Sequence, residues 1–142
     1  MLQVIALTKS FRGVSAVRDV SFELARGTIV ALVGPNGAGK TTTFNLIAGA
    51  IRPDSGTVLL DGRDITRLRQ NQACDAGIGR SFQIVRPFNG LTVLENVVIG
   101  ALHRHTSTRD ATEAAQSVLA ELGMAHKADW LAQSLTLPEK KR

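Results

Sequence analysis

The chain has 142 residues, 17 Lys and Arg against 12 Asp and Glu, a net charge of +5, and 44% hydrophobic but only 4% aromatic residues. That length allows one domain or a piece of a larger one and excludes a multidomain machine, and the composition is that of a folded globular chain rather than a disordered one. The positive charges are scattered, and their one cluster, Lys140, Lys141 and Arg142, lies at the extreme C-terminus, so nucleic acid is not an expected partner.

Cys74 is the single cysteine, which precludes an internal disulfide and suggests a buried, chemically idle thiol. The N-terminus has no charged stretch ahead of its apolar residues, and runs such as Ile29 to Val33 are too short to cross a bilayer. The expected location is therefore the cytoplasm, with no direct membrane insertion.

In chain order, Leu2 to Leu7 and Ala16 to Leu24 read as strands with a turn marked by Gly13. Arg26-Gly27 signals another turn, and Thr28 to Val33 is an unbroken apolar run of the kind found in central parallel strands buried on both faces. Thr41 to Ala48 reads as a helix packing through Phe44, Leu46 and Ile47, ended by Gly49 and blocked by Pro53. Gly56 to Gly62 reads as a strand entering a tight turn, Thr66 as the cap of a short helix, and Gly77 to Phe82 as another strand. From Pro87 onward the texture turns helical: Val93, Leu94, Val97, Val98 and Leu102 follow Thr92 at helical spacing, and Ala111 to Leu122 is a second amphipathic stretch. Trp130, His103, His105 and His126 fit no chemical motif and read as packing or surface residues.

The chemistry is concentrated in Gly34-Pro35-Asn36-Gly37-Ala38-Gly39-Lys40-Thr41, which matches the phosphate-loop pattern G-x-x-x-x-G-K-[ST] between an apolar run and a helix start. Glycines let backbone N–H groups turn toward an anion, and the following helix contributes its positive end. Lys40 is placed to reach β- and γ-phosphate oxygens, and the Thr41 hydroxyl to meet the Mg²⁺ that bridges them. A plain glycine turn is the bland alternative.

With Thr42 and Thr43 added, this loop resembles that of the ATP-binding-cassette (ABC) ATPases, and its surroundings agree. Leu7 to Phe11 with Ala16 to Phe22 look like the cassette's antiparallel N-terminal strands, and Gly77 to Gln83 is similar to its Q-loop segment. Arg86 to Val97 resembles the start of the helical subdomain in branched-chain amino acid importers. The resemblance implies an α/β P-loop NTPase fold with a mixed sheet and a helical subdomain, incomplete at the C-terminus. It divides the chain into a nucleotide-binding core, residues 1–83, and a helical subdomain, residues 84–142. It implies ATP and Mg²⁺ as cofactors, cradled by Gly34, Pro35, Asn36, Gly37, Ala38, Gly39, Lys40, Thr41 and Thr42. It places Phe11 at the aromatic position that stacks on adenine, and Gln83 at the glutamine that touches Mg²⁺ or the attacking water. A core Phe and an ordinary exposed Gln are the alternatives.

The resemblance further implies transmembrane permease subunits as partners, a second ATP-binding subunit in a head-to-tail dimer, and a peripheral seat on the cytoplasmic face of the cell membrane. Phe88 and its neighbours would face the permease, or simply pack. Leu135 to Arg142 aligns with the signature segment, where Thr136 keeps a hydroxyl but Leu137 and Pro138 stand in place of glycines. No apolar strand ending in Asp-Glu occurs in the 142 residues, so this chain alone is expected to bind ATP with little or no hydrolysis. Three functions are open: the ATP-binding part of an importer for branched-chain amino acids or similar small solutes, the engine of a lipid or lipopolysaccharide exporter, and a truncated remnant that binds nucleotide or a membrane subunit without hydrolysis. A GTPase is disfavoured, because no Asn-Lys-x-Asp motif occurs.

Overall fold

The computed structural model describes residues 1–82 and 84–141. It has the expected α/β character, and its contacts divide the chain into two compact units, Met1–Arg80 and Ser81–Arg142, where the sequence places the division after Gln83.

In the first unit, β1 (Leu2–Phe11) and β2 (Val14–Leu24) form an antiparallel hairpin. Arg12 and Gly13 turn it with φ of 47° and 84°, the paired positive values that suit a two-residue loop between right-twisted strands. The strands extend past their expected ends because the pairing continues to Phe11 opposite Val14. Their register shifts between Val4 and Leu7 and again between Leu7 and Lys9, with Ala6 and Asp19 at positive φ. Hydroxyls partner the backbone at these bulges: the Ala6 N–H donates to Ser21 Oγ at 2.8 Å and the Asp19 N–H to Thr8 Oγ1 at 3.1 Å.

On the other side of β1 runs β3 (Ser55–Leu60), followed by the short β4 (Arg63–Asp64), giving the sheet order β2-β1-β3-β4. A Cβ on Gly56 would lie 2.5 Å from the Ala6 carbonyl oxygen, so the bulge and β3 fit together only around glycine. Val4, Leu7, Val17 and Val58 pack with Leu46 and Ile47 of α1 (Lys40–Ile47) and with Ile65 to make this unit's core.

Several local expectations change. Thr28 to Val33 joins no strand among the described residues, and Ile29 and Val33 are 99% and 88% exposed. The composition of a strand buried on both faces is there, but a strand exists only through the ladder it shares, and no described segment pairs with this one. Gly77 to Phe82 is likewise not a strand. Thr66 caps no helix. Its hydroxyl accepts from the Val58 N–H at 2.8 Å and donates to Asp64, while α2 (Gln70–Ala76) begins after Arg69. Cys74 is exposed rather than buried, and Phe44 of α1 points outward, 53% exposed.

The second unit is helical. In α3 (Val93–Ala101), Thr92 and Glu95 form a reciprocal cap: the Glu95 N–H donates to Thr92 Oγ1 at 3.1 Å, and the Thr92 N–H to Glu95 Oε2 at 2.7 Å. Helix α4 (Thr108–Glu121) packs against α3, with Ala111, Ala115 and Leu119 fully buried along one face. Val93, Leu119, Met124 and Leu135 form the core here. The chain then passes through single turns at Ala125–Lys127 and Ala132–Ser134 to α5 (Leu137–Lys140).

Candidate functional site

The loop Gly34–Gly39 delivers the chain into α1 at Lys40. Gly37 and Gly39 both have positive φ, 84° and 82°, conformations that glycine adopts freely. Gly39 has a second reason to be glycine: a Cβ there would lie 2.1 Å from the Ala16 carbonyl oxygen and 3.4 Å from Val17 Cγ2. The end of the loop is thus seated directly on the backbone of β2.

The Thr43 N–H donates to the Gly39 carbonyl at 2.8 Å, and its hydroxyl to the same oxygen at 3.1 Å, which locks the first turn of α1 onto the loop. No side chain caps the helix start, and its first turn carries no acidic residue, so the N–H groups of that turn remain available to an anion. Lys40 Nζ folds back over the loop and donates to the carbonyls of Gly34 at 2.6 Å and Pro35 at 2.7 Å. Its ammonium is therefore held at the loop by weak neutral acceptors, which a phosphate would outcompete.

Thr41 is exposed, Thr42 half-buried and Thr43 buried, so of the three consecutive threonines the first is the one most open to solvent. Pro35, Asn36 and Ala38 are exposed along the loop, and the Ala38 N–H donates to the Pro35 carbonyl at 3.2 Å.

A polar groove of about 340 Å³ runs alongside, with Ser15, Ala16 and Arg18 of β2 on one wall and Gly37, Ala38 and Thr43 on the other. A larger hollow of about 680 Å³ also exists, lined by Phe22, Val30, Leu32, Phe44 and Ile47 among others. Its lining is mostly apolar, with Arg26 and Arg80 among it, and includes no residue of the loop, so the smaller groove is the one beside the phosphate cradle.

Phe11 lies at the hairpin end of β1, 46% exposed, with Lys9 Nζ 5.6 Å from its ring centre. It is not a core residue, and about half of it is open to solvent. Gln83 lies outside the described residues. No cluster of three His, Cys, Asp or Glu side chains suited to a metal occurs among the described residues. The hydroxyl of the exposed Thr41 beside a phosphate cradle fits Mg²⁺ that arrives with phosphate oxygens, because that ion keeps several waters and needs few protein ligands.

Sequence reasoning missed two features. Arg80 Nη1 donates to Asn45 Oδ1, tying α1 to the segment that follows α2. Arg18 lines the groove, although as an outward residue beside Val17 it carries no motif.

In the second unit, Glu139 is the centre of a network. Lys127 Nζ donates to its Oε1, while the Thr136 N–H at 2.9 Å and hydroxyl at 2.8 Å donate to Oε2. Lys127 and the Thr136 donors hold this carboxyl well below the ordinary range, at about 2. The same ammonium stands 4.5 Å from the centre of the Trp130 ring. Asn96 accepts from the Phe88 N–H at 2.9 Å and donates to the Phe88 carbonyl at 3.1 Å, which fixes that backbone and leaves the Phe88 ring 60% exposed.

This loop, its helix and the hairpin that braces it define a P-loop nucleotide-binding fold. A family model described as ABC transporter matches residues 17–142, and the chain belongs to that family. Over 142 residues it is 37% identical to the lipopolysaccharide export system ATP-binding protein LptB of Acidithiobacillus ferridurans, covering 100% of this chain and 59% of that one. It is 34% identical over 158 residues to the high-affinity branched-chain amino acid transport ATP-binding protein BraF of Pseudomonas aeruginosa, covering 100% and 62%. Among solved structures it is similar to the ADP conformation of an ATP-binding cassette of an ABC transporter, with a TM-score of 0.86, 29% identity, and 99% and 60% coverage. The chain thus spans about three-fifths of the length of these relatives. No helix among the described residues is long and apolar enough to cross a membrane.

Proposed function

We propose that this chain is the nucleotide-binding part of an ATP-binding subunit of an ABC importer, coupling ATP binding and hydrolysis to transport of branched-chain amino acids or similar small solutes. The observation that carries this reading is the loop Gly34–Thr41, seated on β2 through Gly39 and Ala16, with Lys40 at the cradle and an uncapped helix start behind it.

The loop N–H groups and Lys40 hold the β- and γ-phosphates, Thr41 meets Mg²⁺, and Thr42 supports the first turn. Mg²⁺, when bound, neutralises phosphate charge. Phe11, half-exposed at the hairpin end, stacks on adenine. Gln83 senses the metal or the attacking water. Residues 84–142, with Phe88 exposed on a braced backbone, meet a transmembrane permease on the cytoplasmic face of the membrane. A second ATP-binding subunit pairs head to tail, bringing Thr136 to its partner's nucleotide. Alignment of the whole of this chain to 62% of BraF supports the amino acid solute.

The 37% identity to LptB favours a second reading, the engine of a lipopolysaccharide exporter. Titration of the purified chain with ATP and GTP, alongside Lys40→Ala, tests the nucleotide site: ATP binding lost in the variant is expected, and equal binding by both proteins would sink the reading. Co-expression with an amino acid permease or with a lipopolysaccharide export permease, followed by co-purification, separates the two transport classes.

A further inference from the structure

Arg18 is an exposed cation of β2 on the wall of the groove that opens beside Gly37 and Ala38. It forms no hydrogen bond or ion pair among the described residues, unlike Arg26, which is engaged by Asp61, and Arg109, which is engaged by Glu113. Asp19, next in the chain, is not part of the groove lining, so the groove wall carries a positive charge and no carboxylate.

The position of this wall is fixed. Gly39 rests on the Ala16 carbonyl, closer than any side chain would permit, so the β2 backbone two residues before Arg18 cannot drift from the loop. With phosphates at Lys40 and the α1 start, the groove beside Gly37 and Ala38 offers a path for the sugar and the phosphate nearest to it. A guanidinium offers five N–H donors in a planar fork, which suits phosphate oxygens and adjacent hydroxyls.

We propose that Arg18 is a nucleotide-binding residue that donates to the sugar–phosphate portion of a bound nucleoside triphosphate, acting with Lys40 as a second cation. This rests on the nucleotide reading above. It assigns to β2 a share of affinity that the phosphate loop alone does not supply.

The test is calorimetric titration of the purified chain, its Arg18→Met and Arg18→Lys variants, and Lys40→Ala, with ATP, AMP and pyrophosphate. Loss of a charged hydrogen bond predicts about tenfold weaker ATP and AMP binding in Arg18→Met, with partial recovery in Arg18→Lys. Pyrophosphate, which reaches only the loop, is expected to bind Arg18→Met as it binds the parent chain. If Lys40→Ala loses ATP while Arg18→Met keeps parental affinity, the role of Arg18 is overturned and the nucleotide site stands. Equal weakening of pyrophosphate would reduce Arg18 to a general electrostatic contribution and also overturn it. If neither substitution changes ATP binding, the nucleotide reading itself fails. Circular dichroism melts establish that the exposed substitutions leave the fold intact.

Discussion

Gly39 and Ala16 meet so closely that a single added carbon on Gly39 would sit 2.1 Å from the Ala16 carbonyl oxygen. The contact joins the phosphate loop to a strand of the antiparallel hairpin, two elements 23 residues apart, and it is made with backbone, which cannot step aside as a flexible side chain can.

Replacing Gly39 with Ala combines that clash with a φ of 82°, while Gly37→Ala meets the same kind of φ, 84°, in open space. The Gly37 change is expected to cost about 1 kcal/mol from backbone strain alone. The Gly39 change must also displace the loop or β2, and should cost roughly 3 kcal/mol and most of the ATP affinity. Thermal melts and ATP titration of the two variants check this. Equal behaviour would mean that the loop does not rest on β2.

Phosphoryl transfer needs a group that orients the attacking water as well as a cradle for the phosphates. The 142 residues contain no Asp-Glu pair at the end of an apolar run, and Asp110 lies in α4, in a helical unit that has no phosphate loop. The isolated chain should therefore bind ATP without measurable release of phosphate. A coupled phosphate-release assay with Mg²⁺ is the check, and turnover that disappears in Lys40→Ala would reverse this conclusion.

Glu139 has its carboxyl lowered from 4.5 to about 2, chiefly by the hydrogen bond from Lys127, and Asp61 is lowered from 3.8 to about 2, chiefly by Arg26 and then by the N-terminal ammonium. Both groups are more acidic when folded, so their contribution is complete above their ordinary values and disappears as pH falls through the folded ones. Stability should be level from neutral pH to about 5 and decline from about 4.5 toward 2. Trp130 is the only tryptophan and stands beside Lys127, so its fluorescence follows the Glu139 network specifically. Glu139→Gln should lower the neutral-pH melt seen by Trp130 and shallow its acid decline. Parallel acid limbs for parent and variant would show that the Lys127 pairing contributes nothing.

What was legible in the sequence was local. The turn at Gly13, the helix that follows Thr92 and the phosphate loop are each written within a few residues, because their local backbone geometry depends chiefly on those residues. Thr66 misled because its hydroxyl bonds across to Val58 rather than forward to a helix N–H, a choice made by tertiary neighbours. The seat of Gly39 on Ala16, the Lys127 to Glu139 pairing and the groove position of Arg18 all depend on which elements lie side by side, which periodicity does not encode.

The same reasoning makes Thr28 to Val33 the weak point of the first unit. Its residues have the apolar character of a strand covered on both faces, yet Ile29, Val30, Leu32 and Val33 are 99%, 52%, 39% and 88% exposed. Consecutive exposed aliphatic residues with unpaired backbone groups template association with another chain. The isolated chain should therefore self-associate as its concentration rises, and Ile29→Lys with Val33→Lys should suppress this by placing charges along the segment. Neither side chain belongs to the buried core formed by Val4, Leu7, Val17, Val58, Leu46 and Ile47, so the melting temperature should stay within a few degrees of the parent's. Sedimentation velocity across a concentration series provides the measurement. A parent chain that stays monomeric throughout, or a double variant that associates as strongly as the parent, would locate the adhesive surface elsewhere.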